Sequence, residues 1–290
     1  MKVHTLKNNQ IQISINSFGA ELCSVKTADG KELIWQADKN IWPRHAPVLF
    51  PVVGKLKDNQ FKFGSREYAM LQHGFSRDKE FVLVRESENS LEFELSSDEE
   101  MLLNYPFHFL LSICYELKGG ALTIKYKVFN PNNSVLLFSL GAHPGFNCKR
   151  LKGETLNDFY LEFVNKNELV AQKLKDGLIS DETFKIDLQN GRLKLNVDLF
   201  ANDALVFKNT QIEDITLASD KSEHKIKLIC KSWPYFGVWT KKGCDDFICL
   251  EPWFGIADNT EFKGNLSEKE GIVSLEPNRH FEVEFSLNFS

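Results

Sequence analysis

Three residues of this chain suit proton transfer by type and by position: Glu251, His143 and His73. Glu251 ends an apolar run in the stretch ICLEPWFGIAD, and burial at such a strand end would raise the pKa of its carboxylate. Histidine is the side chain best matched to proton transfer near neutral pH. If the three residues converge, which the sequence leaves open, they supply an acid and a base. The alternative for each is a structural role, as a strand-end carboxylate or a hydrogen-bonded histidine.

Both histidines stand where a strand ends or the chain turns. His143 lies in FSLGAHPGFN and His73 in QHGFSRD, so Gly or Pro-Gly and then Phe follow each of them. Pro144 stops the strand and fixes the backbone just after His143, and Gly145 lets the chain turn close to a ligand. Because such positions tend to line a cleft, both rings are candidates for a binding site, although a histidine taken singly is more often a structural residue.

Aromatic and cationic residues near these positions favour a sugar site. Trp253 follows Glu251 by two residues; an aromatic ring binds the apolar face of a pyranose while a carboxylate handles hydroxyl protons. Arg44 and Lys55, in WPRHAPVLFPVVGKLKDN, and Arg77 together could accept a phosphate, because Arg pairs phosphate oxygens well. An ordinary ion pair with a neighbouring acid is the alternative for Arg77.

Alternation of apolar and polar residues dominates the chain and predicts half-buried antiparallel strands. The clearest patterns are IQISI, LTIKYKV, LKLNVDLF and FEVEFSLNF, with their apolar positions at Ile11, Ile13 and Ile15; Leu122, Ile124, Tyr126 and Val128; Leu193, Leu195, Val197 and Leu199; and Phe281, Val283, Phe285, Leu287 and Phe289.

Helical signals are few. Ser97 and Glu100 in SSDEEMLLNYP fit a capping box, and Pro106 ends that pattern after a turn or two. LSEKEG, near Ser267, predicts one further short turn. We therefore predict an all-β fold: a single domain over residues 1–290, built as a large two-layer antiparallel β-sandwich with few short helices.

Composition argues against several other classes of protein. The formal net charge is −5 with both signs interspersed, and no basic stripe indicates a nucleic-acid partner. No run approaches the roughly 20 apolar residues of a membrane helix, and the N-terminal segment lacks the apolar core of an export signal. The six cysteines form no CxxC pair and no metal-ligand spacing, which predicts reduced thiols in a cytoplasmic protein and no metal. Without a nucleotide-binding fingerprint, we also expect no cofactor.

The chain resembles the aldose 1-epimerase (galactose mutarotase-like) family in three motifs, which occur in the same order and at the same separation: QHGFSRDKEF, FSLGAHPGFN and CLEPWFGIAD. It is more similar to the LacX-like bacterial branch of that family, and Arg77 in HGFSRD fits that branch. The stretches around Arg44 and from Asn104 to Asn130 fit the same pattern. The resemblance implies a galactose mutarotase-type β-sandwich with an open sugar-binding cleft. It also implies cofactor-free interconversion of the α and β anomers of an aldose.

The resemblance also implies roles for single residues. Glu251 matches the family's general base, His143 its general acid, and His73 the histidine that holds the sugar near its ring oxygen. Asp203, in FANDALVF, matches an aspartate that binds sugar hydroxyls. Lys55 departs from the family pattern, which has an arginine there; a lysine keeps the charge but loses the planar bidentate fork.

Three functions stay open at this point. The first is anomer interconversion of a small-molecule sugar, a hexose or hexose phosphate, by a monomer or homodimer. The second, motivated by Lys55, is sugar binding without turnover. The third is glycoside hydrolysis, in which Glu251 and Asp203 or Asp258 would form a carboxylate pair; it leaves the histidines unexplained.

Overall fold

The computed structural model describes residues 2–290, which form 24 β-strands, one α-helix and five short 3-10 helices. In chain order the first strands are β1 Val3–Lys7, β2 Ile11–Asn16, β3 Glu21–Thr27, β4 Val48–Leu49, β5 Gln60–Phe63, β6 Arg66–Ala69, β7 Val82–Glu86, β8 Ser90–Ser96, β9 Leu110–Lys118, β10 Ala121–Phe129, β11 Leu136–Phe138 and β12 Leu140–Ala142. The others are β13 Gly145–Asn147, β14 Phe159–Glu162, β15 Glu168–Lys175, β16 Leu178–Asp187, β17 Arg192–Lys194, β18 Leu205–Phe207, β19 Asp214–Ser219, β20 Ile226–Ile229, β21 Tyr235–Trp239, β22 Phe247–Phe254, β23 Val273–Leu275 and β24 His280–Phe289. The helices are α1 Glu99–Asn104 and the 3-10 segments Lys57–Asn59, Ser76–Asp78, Leu156–Asp158, Val197–Phe200 and Leu266–Glu268.

Two large antiparallel sheets dominate this arrangement. One has nine strands in the order β17-β14-β19-β20-β24-β10-β9-β8-β7. The other has eight: β16-β15-β18-β21-β22-β12-β4, with β13 also paired to β22. The main hydrophobic cluster combines residues of both sheets, for example Ile124 on β10 and Leu250 on β22. The predicted all-β antiparallel sandwich is therefore confirmed.

Burial differs between the two sheets, and the difference locates the site. Along β10 the side chains alternate, with Leu122, Ile124, Tyr126 and Val128 buried and the residues between them more exposed, as expected of a sheet with one wet face. Along β22 seven successive residues, Phe247 to Trp253, are all buried. One face of β22 packs into the core, and the other forms the floor of a cleft that loops and a hairpin cover.

The pattern LKLNVDLF does not form the single strand that its alternation predicts. Strand β17 ends at Lys194, and a 3-10 helix follows over Val197–Phe200. Asn196 begins that helix, because its side-chain oxygen accepts a hydrogen bond from the backbone N–H of Leu199 at 3.1 Å. This capping hydrogen bond forms in place of further hydrogen bonds to the sheet, so the strand ends after three residues.

The short helix after β8 forms as predicted, but a different residue caps it. Asp98 Oδ1 accepts from the backbone N–H of Met101 at 2.8 Å. Ser97 instead accepts from the backbone N–H of Phe109, across the turn into β9. The turn predicted near Ser267 is confirmed as the 3-10 segment Leu266–Glu268. No helix within residues 2–290 has the length and apolar character that crossing a bilayer requires.

Candidate functional site

An interruption in the strand that pairs with β22 brings Glu251 and His143 together. β12 pairs with the end of β22 and β13 with its beginning. His143 and Pro144 lie between these two strands, opposite the part of β22 that carries Glu251. Proline has no backbone N–H to donate, while its carbonyl accepts from Leu250 at 3.2 Å. The GAHPGF motif therefore interrupts the hydrogen-bond ladder between the two strands at the point where the His143 side chain contacts the Glu251 carboxylate.

The two groups form a close buried pair. Nε2 of His143 lies 3.2 Å from Oε2 of Glu251, and the two side chains are 9% and 2% exposed. The contact does not meet the geometry of a hydrogen bond. Within residues 2–290, Oε2 of Glu251 and Nδ1 of His143 therefore both count as buried atoms without a hydrogen-bond partner, and so does Nε of Arg77. Buried polar atoms are nearly always satisfied. Four residues with such an unpaired atom, Arg77, His143, Glu251 and Trp253, line one cleft, which supports a site for a polar ligand there.

Burial shifts the pKa values of the pair in opposite directions, because it disfavours the charged form of each group. It raises the pKa of Glu251 well above the usual range of a carboxyl group; the Asp203 carboxylate adds to the rise and the Trp253 indole opposes it. It lowers the pKa of His143 to about 3, and the charges of Arg77 and Arg44 add to that fall. Both shifts favour the neutral form, which has the dissociable proton of the pair on Glu251 and a neutral imidazole at His143.

Three aromatic rings hold the His143 imidazole in place. Trp42 stacks on it with ring centroids 4.9 Å apart, and Trp239 meets it edge-on at 5.6 Å. The ring of His73 also lies edge-on, at 5.6 Å. Sequence reasoning missed Trp42 and Trp239 as members of the site. Trp42 opens the motif around Arg44, and Trp239 ends an apolar strand, so a search for strand-end aromatic residues would have found the second.

His73 is held in a left-handed turn that fixes its tautomer. Its φ is +69°, an uncommon conformation for a residue with a side chain. Nδ1 accepts from the backbone N–H of Gly54 at 3.2 Å, and the His73 N–H donates to the Gly54 carbonyl. Burial and the neighbouring His143 hold the pKa of His73 well below its usual value. The ring is therefore neutral, with its hydrogen on Nε2. The Gln72 amide nitrogen lies 3.2 Å from Nε2, and rotation of that amide by 180° presents its oxygen as the acceptor for the Nε2–H.

Trp253 forms the floor of the cleft and does not stand as a free aromatic platform. Its ring lies across Gly141 and Gly237 on the two neighbouring strands: a Cβ atom on Gly237 would come within 2.5 Å of the indole, and one on Gly141 within 2.7 Å. The side chain is consequently buried, at 5% exposure. Gly237 is the register partner of Glu251. Its lack of a side chain thus makes room for the indole beside the carboxylate.

Of the three predicted cations, Arg77 alone lines the cleft. Its Nη2 donates to the carbonyl of Gln72 at 2.7 Å, and its Nε is 3.9 Å from Asp78. Burial and Arg44 lower the pKa of Arg77 to about 10, so it stays charged at neutral pH. Arg44 lies close by, but its guanidinium pairs with Asp78 at 2.9 Å.

Lys55 belongs to the wall behind the cleft. Its Nζ donates to the carbonyl of Asp176 at 2.9 Å, in the turn between β15 and β16, and its stem contacts Gly177. The position that departs from the family pattern thus fixes a hairpin. Asp203, by contrast, lines the cleft as predicted.

Asp258 is committed to a structural role. Its Oδ1 lies 2.8 Å from the ammonium of Lys269 with both side chains buried, and its Oδ2 accepts from the backbone N–H of Lys57. Such a pair braces the chain next to Ile256 and Ala257, which line the cleft. Asp258 is therefore not free to act as the second catalytic carboxylate of a glycoside hydrolase beside Glu251.

One group of potential metal ligands occurs among residues 2–290: His143, Cys249 and Glu251, with one ligand atom each, all within 4.8 Å. A thiolate is the form that binds metal, and burial raises the pKa of the Cys249 thiol well above its usual value. A cation here would also occupy both members of the acid–base pair. The chemistry of this set favours proton transfer over metal binding.

These groups face one cleft of about 430 Å³, within the range of small-molecule sites. Glu251, His143, His73, Arg77, Asp203 and Trp253 all line it, together with Trp42, Trp239 and Gln72. Among the sequence-predicted site residues, Arg44 and Lys55 lie outside the lining. The lining thus combines a buried carboxyl–imidazole pair, a second imidazole, a guanidinium cation and a further carboxylate.

Solved structures share this architecture. A galactose mutarotase-related enzyme from Lactobacillus acidophilus superimposes with a TM-score of 0.95 at 34% sequence identity, over 100% of this chain and 97% of that one. A galactose mutarotase-like protein from Lactobacillus casei gives a TM-score of 0.90 at 30% identity, over 100% of both chains. The fold is thus that of the galactose mutarotase-like proteins.

Sequence comparison reaches the same class. The profile of the aldose 1-epimerase family matches residues 2–283. The plasmid-encoded protein LacX of Lactococcus lactis is 31% identical over 281 residues, which cover 94% of each chain. The chain belongs to the aldose 1-epimerase family, as its motifs predict.

Proposed function

We propose that this protein interconverts the α and β anomers of an aldose or aldose phosphate, with Glu251 and His143 as its acid–base pair. The observation that carries the proposal is the 3.2 Å contact between Glu251 Oε2 and His143 Nε2 on the floor of a sugar-sized cleft. Membership of the aldose 1-epimerase family supports a sugar as the substrate.

The reaction requires two proton transfers. Glu251 removes the proton from the anomeric hydroxyl while His143 protonates the ring oxygen, and the bond between C1 and the ring oxygen breaks. The free aldehyde then rotates about its bond to C2, and the reversed transfers close the ring as the other anomer. No atom is gained or lost, so the pair returns to its starting state. General acid–base catalysis contributes about 10²–10⁴-fold per positioned group.

The proton shared by the pair suits this cycle. Burial holds it on Glu251, as the opposite pKa shifts of the two groups indicate. Hydroxyl groups of a bound sugar give the pair polar partners, and the proton can then pass to Nε2 of His143, which is 3.2 Å from Oε2 of Glu251. The result is the carboxylate and imidazolium that the forward reaction uses. In the same complex, His73 Nε2–H is a donor for the ring oxygen or a neighbouring hydroxyl.

Anomer exchange measured by polarimetry or by anomeric proton NMR tests the proposal. Fresh α-glucose, α-galactose and their 6-phosphates are the substrates; the unpaired Nε of Arg77 in the cleft supports the phosphorylated ones. Glu251→Gln and His143→Asn should each lower the rate by about 10²-fold or more. Glu88→Gln, at an exposed carboxylate, is the matched control and should leave it unchanged.

Two outcomes contradict the proposal in different ways. If neither active-site variant slows exchange, the pair does not catalyse it. If calorimetry detects saturable sugar binding while exchange is no faster than in buffer, the protein is a sugar-binding protein without turnover.

A further inference from the structure

Glu21 is a half-buried carboxylate that the proposed chemistry does not use. It begins β3, in the three-stranded sheet β1-β2-β3, which is separate from the two large sheets. Its side chain does not line the cleft. The charges of Arg44 and Arg77 reach it, but both guanidinium groups pair with Asp78. The carboxylate is instead directed at the backbone of a neighbouring loop.

One oxygen of Glu21 accepts two successive backbone N–H groups. Its Oε1 lies 2.9 Å from the nitrogen of His45 and 3.0 Å from that of Ala46. A carboxylate oxygen has lone pairs for two such donors. Both N–H groups belong to the loop of residues 36–47 that leads into β4, which we call the Trp42 loop. Glu21 thus anchors the end of the Trp42 loop to the three-stranded sheet.

The anchored end of the Trp42 loop is bonded to the segment that carries His143. The carbonyl of His45 accepts from the N–H of Gly145 at 2.9 Å, and the carbonyl of Gly145 accepts from the N–H of Trp35 at 2.9 Å. Nδ1 of His45 also lies 2.8 Å from the Trp35 carbonyl. His45 therefore connects Glu21 to the backbone two residues after His143.

The middle of the Trp42 loop places the Trp42 indole on the His143 imidazole. Trp35 Nε1 donates to the carbonyl of Trp42 at 2.8 Å. The indole stacks on the imidazole with centroids 4.9 Å apart and on the Phe247 ring at 5.3 Å. A Cβ atom on Gly145 would come within 2.9 Å of the same indole, so the ring lies close against the backbone that follows His143.

The proposed chemistry depends on this covering of His143. Burial is the largest cause of the low pKa of His143, and it favours the state in which the proton lies on Glu251. Water beside the imidazole would stabilise its charged form and raise its pKa before any sugar binds. A residue that holds Trp42 in place therefore affects the acid–base pair without contacting the substrate.

We propose that Glu21 is a positioning residue for anomer exchange, which acts through the Trp42 loop to hold Trp42 on His143 and to keep water from the imidazole. This rests on the proposed function, because it assigns Glu21 to the acid–base pair of that reaction. What the role requires of Glu21 is an acceptor oxygen at the position of Oε1, and a glutamine can supply one.

Exchange rates of matched variants test the proposal. Glu21→Ala removes the acceptor and should lower kcat about 10-fold, whereas Glu21→Gln keeps an acceptor oxygen and should stay within about 3-fold of the wild type. Trp42→Ala should also slow exchange, and the double variant Glu21→Ala/Trp42→Ala should be no slower than the slower single variant. Asn8→Ala is the control, because Asn8 Oδ1 likewise accepts two backbone N–H groups, from Gln10 at 2.8 Å and Ile11 at 3.0 Å, away from the cleft. It should leave the rate unchanged.

The pKa of His143, followed by NMR of the imidazole, gives a second readout that does not depend on turnover. It is about 3 in the wild type and should rise toward 6.5 in Glu21→Ala, because the ring gains water. Loss of the negative charge alone would favour the neutral ring and lower the pKa, so a rise reports lost covering. Glu21→Gln should leave it near the wild-type value, with Glu251, His73 and Arg77 still facing the ring in every variant. If Glu21→Ala does not fold, as judged by circular dichroism, Glu21→Asp withdraws the oxygen by one methylene and should change both readouts in the same direction.

The two readouts separate the failure of this inference from that of the proposed function. The inference is overturned if Glu21→Ala leaves the His143 pKa unchanged, if Glu21→Gln differs from the wild type as much as Glu21→Ala does, or if the losses of Glu21→Ala and Trp42→Ala multiply in the double variant. A wild type that exchanges no anomers contradicts the proposed function. A His143 pKa that rises in Glu21→Ala and not in Glu21→Gln still supports the placement of Trp42 by Glu21 in that case.

Discussion

The floor of the cleft and its hairpin wall are built in contrasting ways. The floor lies within a sheet: strand β22, which carries Glu251, has paired strands on both sides, and Glu251 is 2% exposed. The wall is an edge hairpin that has left its sheet and is held near its tip by a few hydrogen bonds. Burial shifts the pKa values on the floor, whereas many side chains of the wall are exposed to solvent.

This contrast indicates that the floor and the wall have different roles. Proton transfer between Glu251 and His143 depends on excluded water and on rings that cannot move, which a paired sheet supplies. Selection among sugars of different size depends on contacts outside the reacting atoms, which a hairpin can change without disturbing the floor. Changes to the floor should therefore affect every substrate, and changes to the wall only some of them.

The largest expected effect is on the floor. Glu251→Gln and His143→Asn should each cost about 10²–10⁴-fold in the exchange rate, and the double variant about as much as the worse single variant. The reason is that the two groups share one proton, so losing either stops the same transfer. Exchange rates of the four proteins, with circular dichroism to verify folding, measure this. Losses that multiply would mean that the two groups act independently.

A second effect on the floor follows from its packing. Gly237→Ala places a Cβ atom within 2.5 Å of the Trp253 ring, which lies between buried strands and has little room to move. Overpacking of this kind costs about 1–3 kcal/mol, so urea unfolding should show a destabilised protein whose exchange rate falls for all sugars. Adding Trp253→Phe should recover part of the stability. A Gly237→Ala variant as stable as the wild type would show that the indole is not confined.

A third effect concerns His73 and the stability of the fold in acid. The pKa of His73 is held well below its usual 6.5 in the folded protein. Below pH 6.5 the unfolded chain therefore binds a proton at His73 that the folded chain does not bind, so the free energy of unfolding decreases as the pH is lowered. His73→Asn, a residue that tolerates positive φ, removes this contribution. From pH 6 to pH 5 the wild type should lose more of its unfolding free energy than the variant, by at most the roughly 1.4 kcal/mol per pH unit that one proton contributes; parallel curves would contradict the shift.

The floor was largely predictable from sequence, and the reason is local. Glu251, His143 and His73 sit in short motifs where an apolar run meets Pro or Gly, so their unusual positions can be read without knowing the fold. Their convergence could not be read, because it depends on β12 and β13 pairing with the same strand. Trp42 and Trp239 were missed for the same reason: each reaches His143 from a distant part of the chain.

The wall was much less predictable. LKLNVDLF alternates like a strand, but the side chain of Asn196 forms a local capping bond that ends it. The partner of Lys55 is a carbonyl 121 residues away, which no local pattern can indicate. Contacts from a hairpin to the body of a protein depend on where the hairpin leaves its sheet, here a register shift after Gln172.

The smallest expected effect tests the wall through Lys55. Lys55→Ala removes the hydrogen bond to Asp176, and an exposed bond of this kind contributes on the order of 0.5–1 kcal/mol. We expect kcat/KM to fall about 2- to 3-fold and the backbone amides near Ile179 to exchange their hydrogens faster. Lys185→Ala is the matched control, because Lys185 pairs with Glu168 at the opposite end of the same hairpin.

The size of the Lys55 effect decides between two roles. The family resemblance implies an arginine at this position. Removal of a residue that held the sugar directly would lower the rate far more than removal of a hydrogen bond to a hairpin. A loss of about 10²-fold in Lys55→Ala, with hydrogen exchange near Ile179 unchanged, would place the ammonium on the substrate and not on Asp176. A small loss with faster exchange means that Lys55 acts on the cleft only through the hairpin, as its contact with the Asp176 carbonyl indicates.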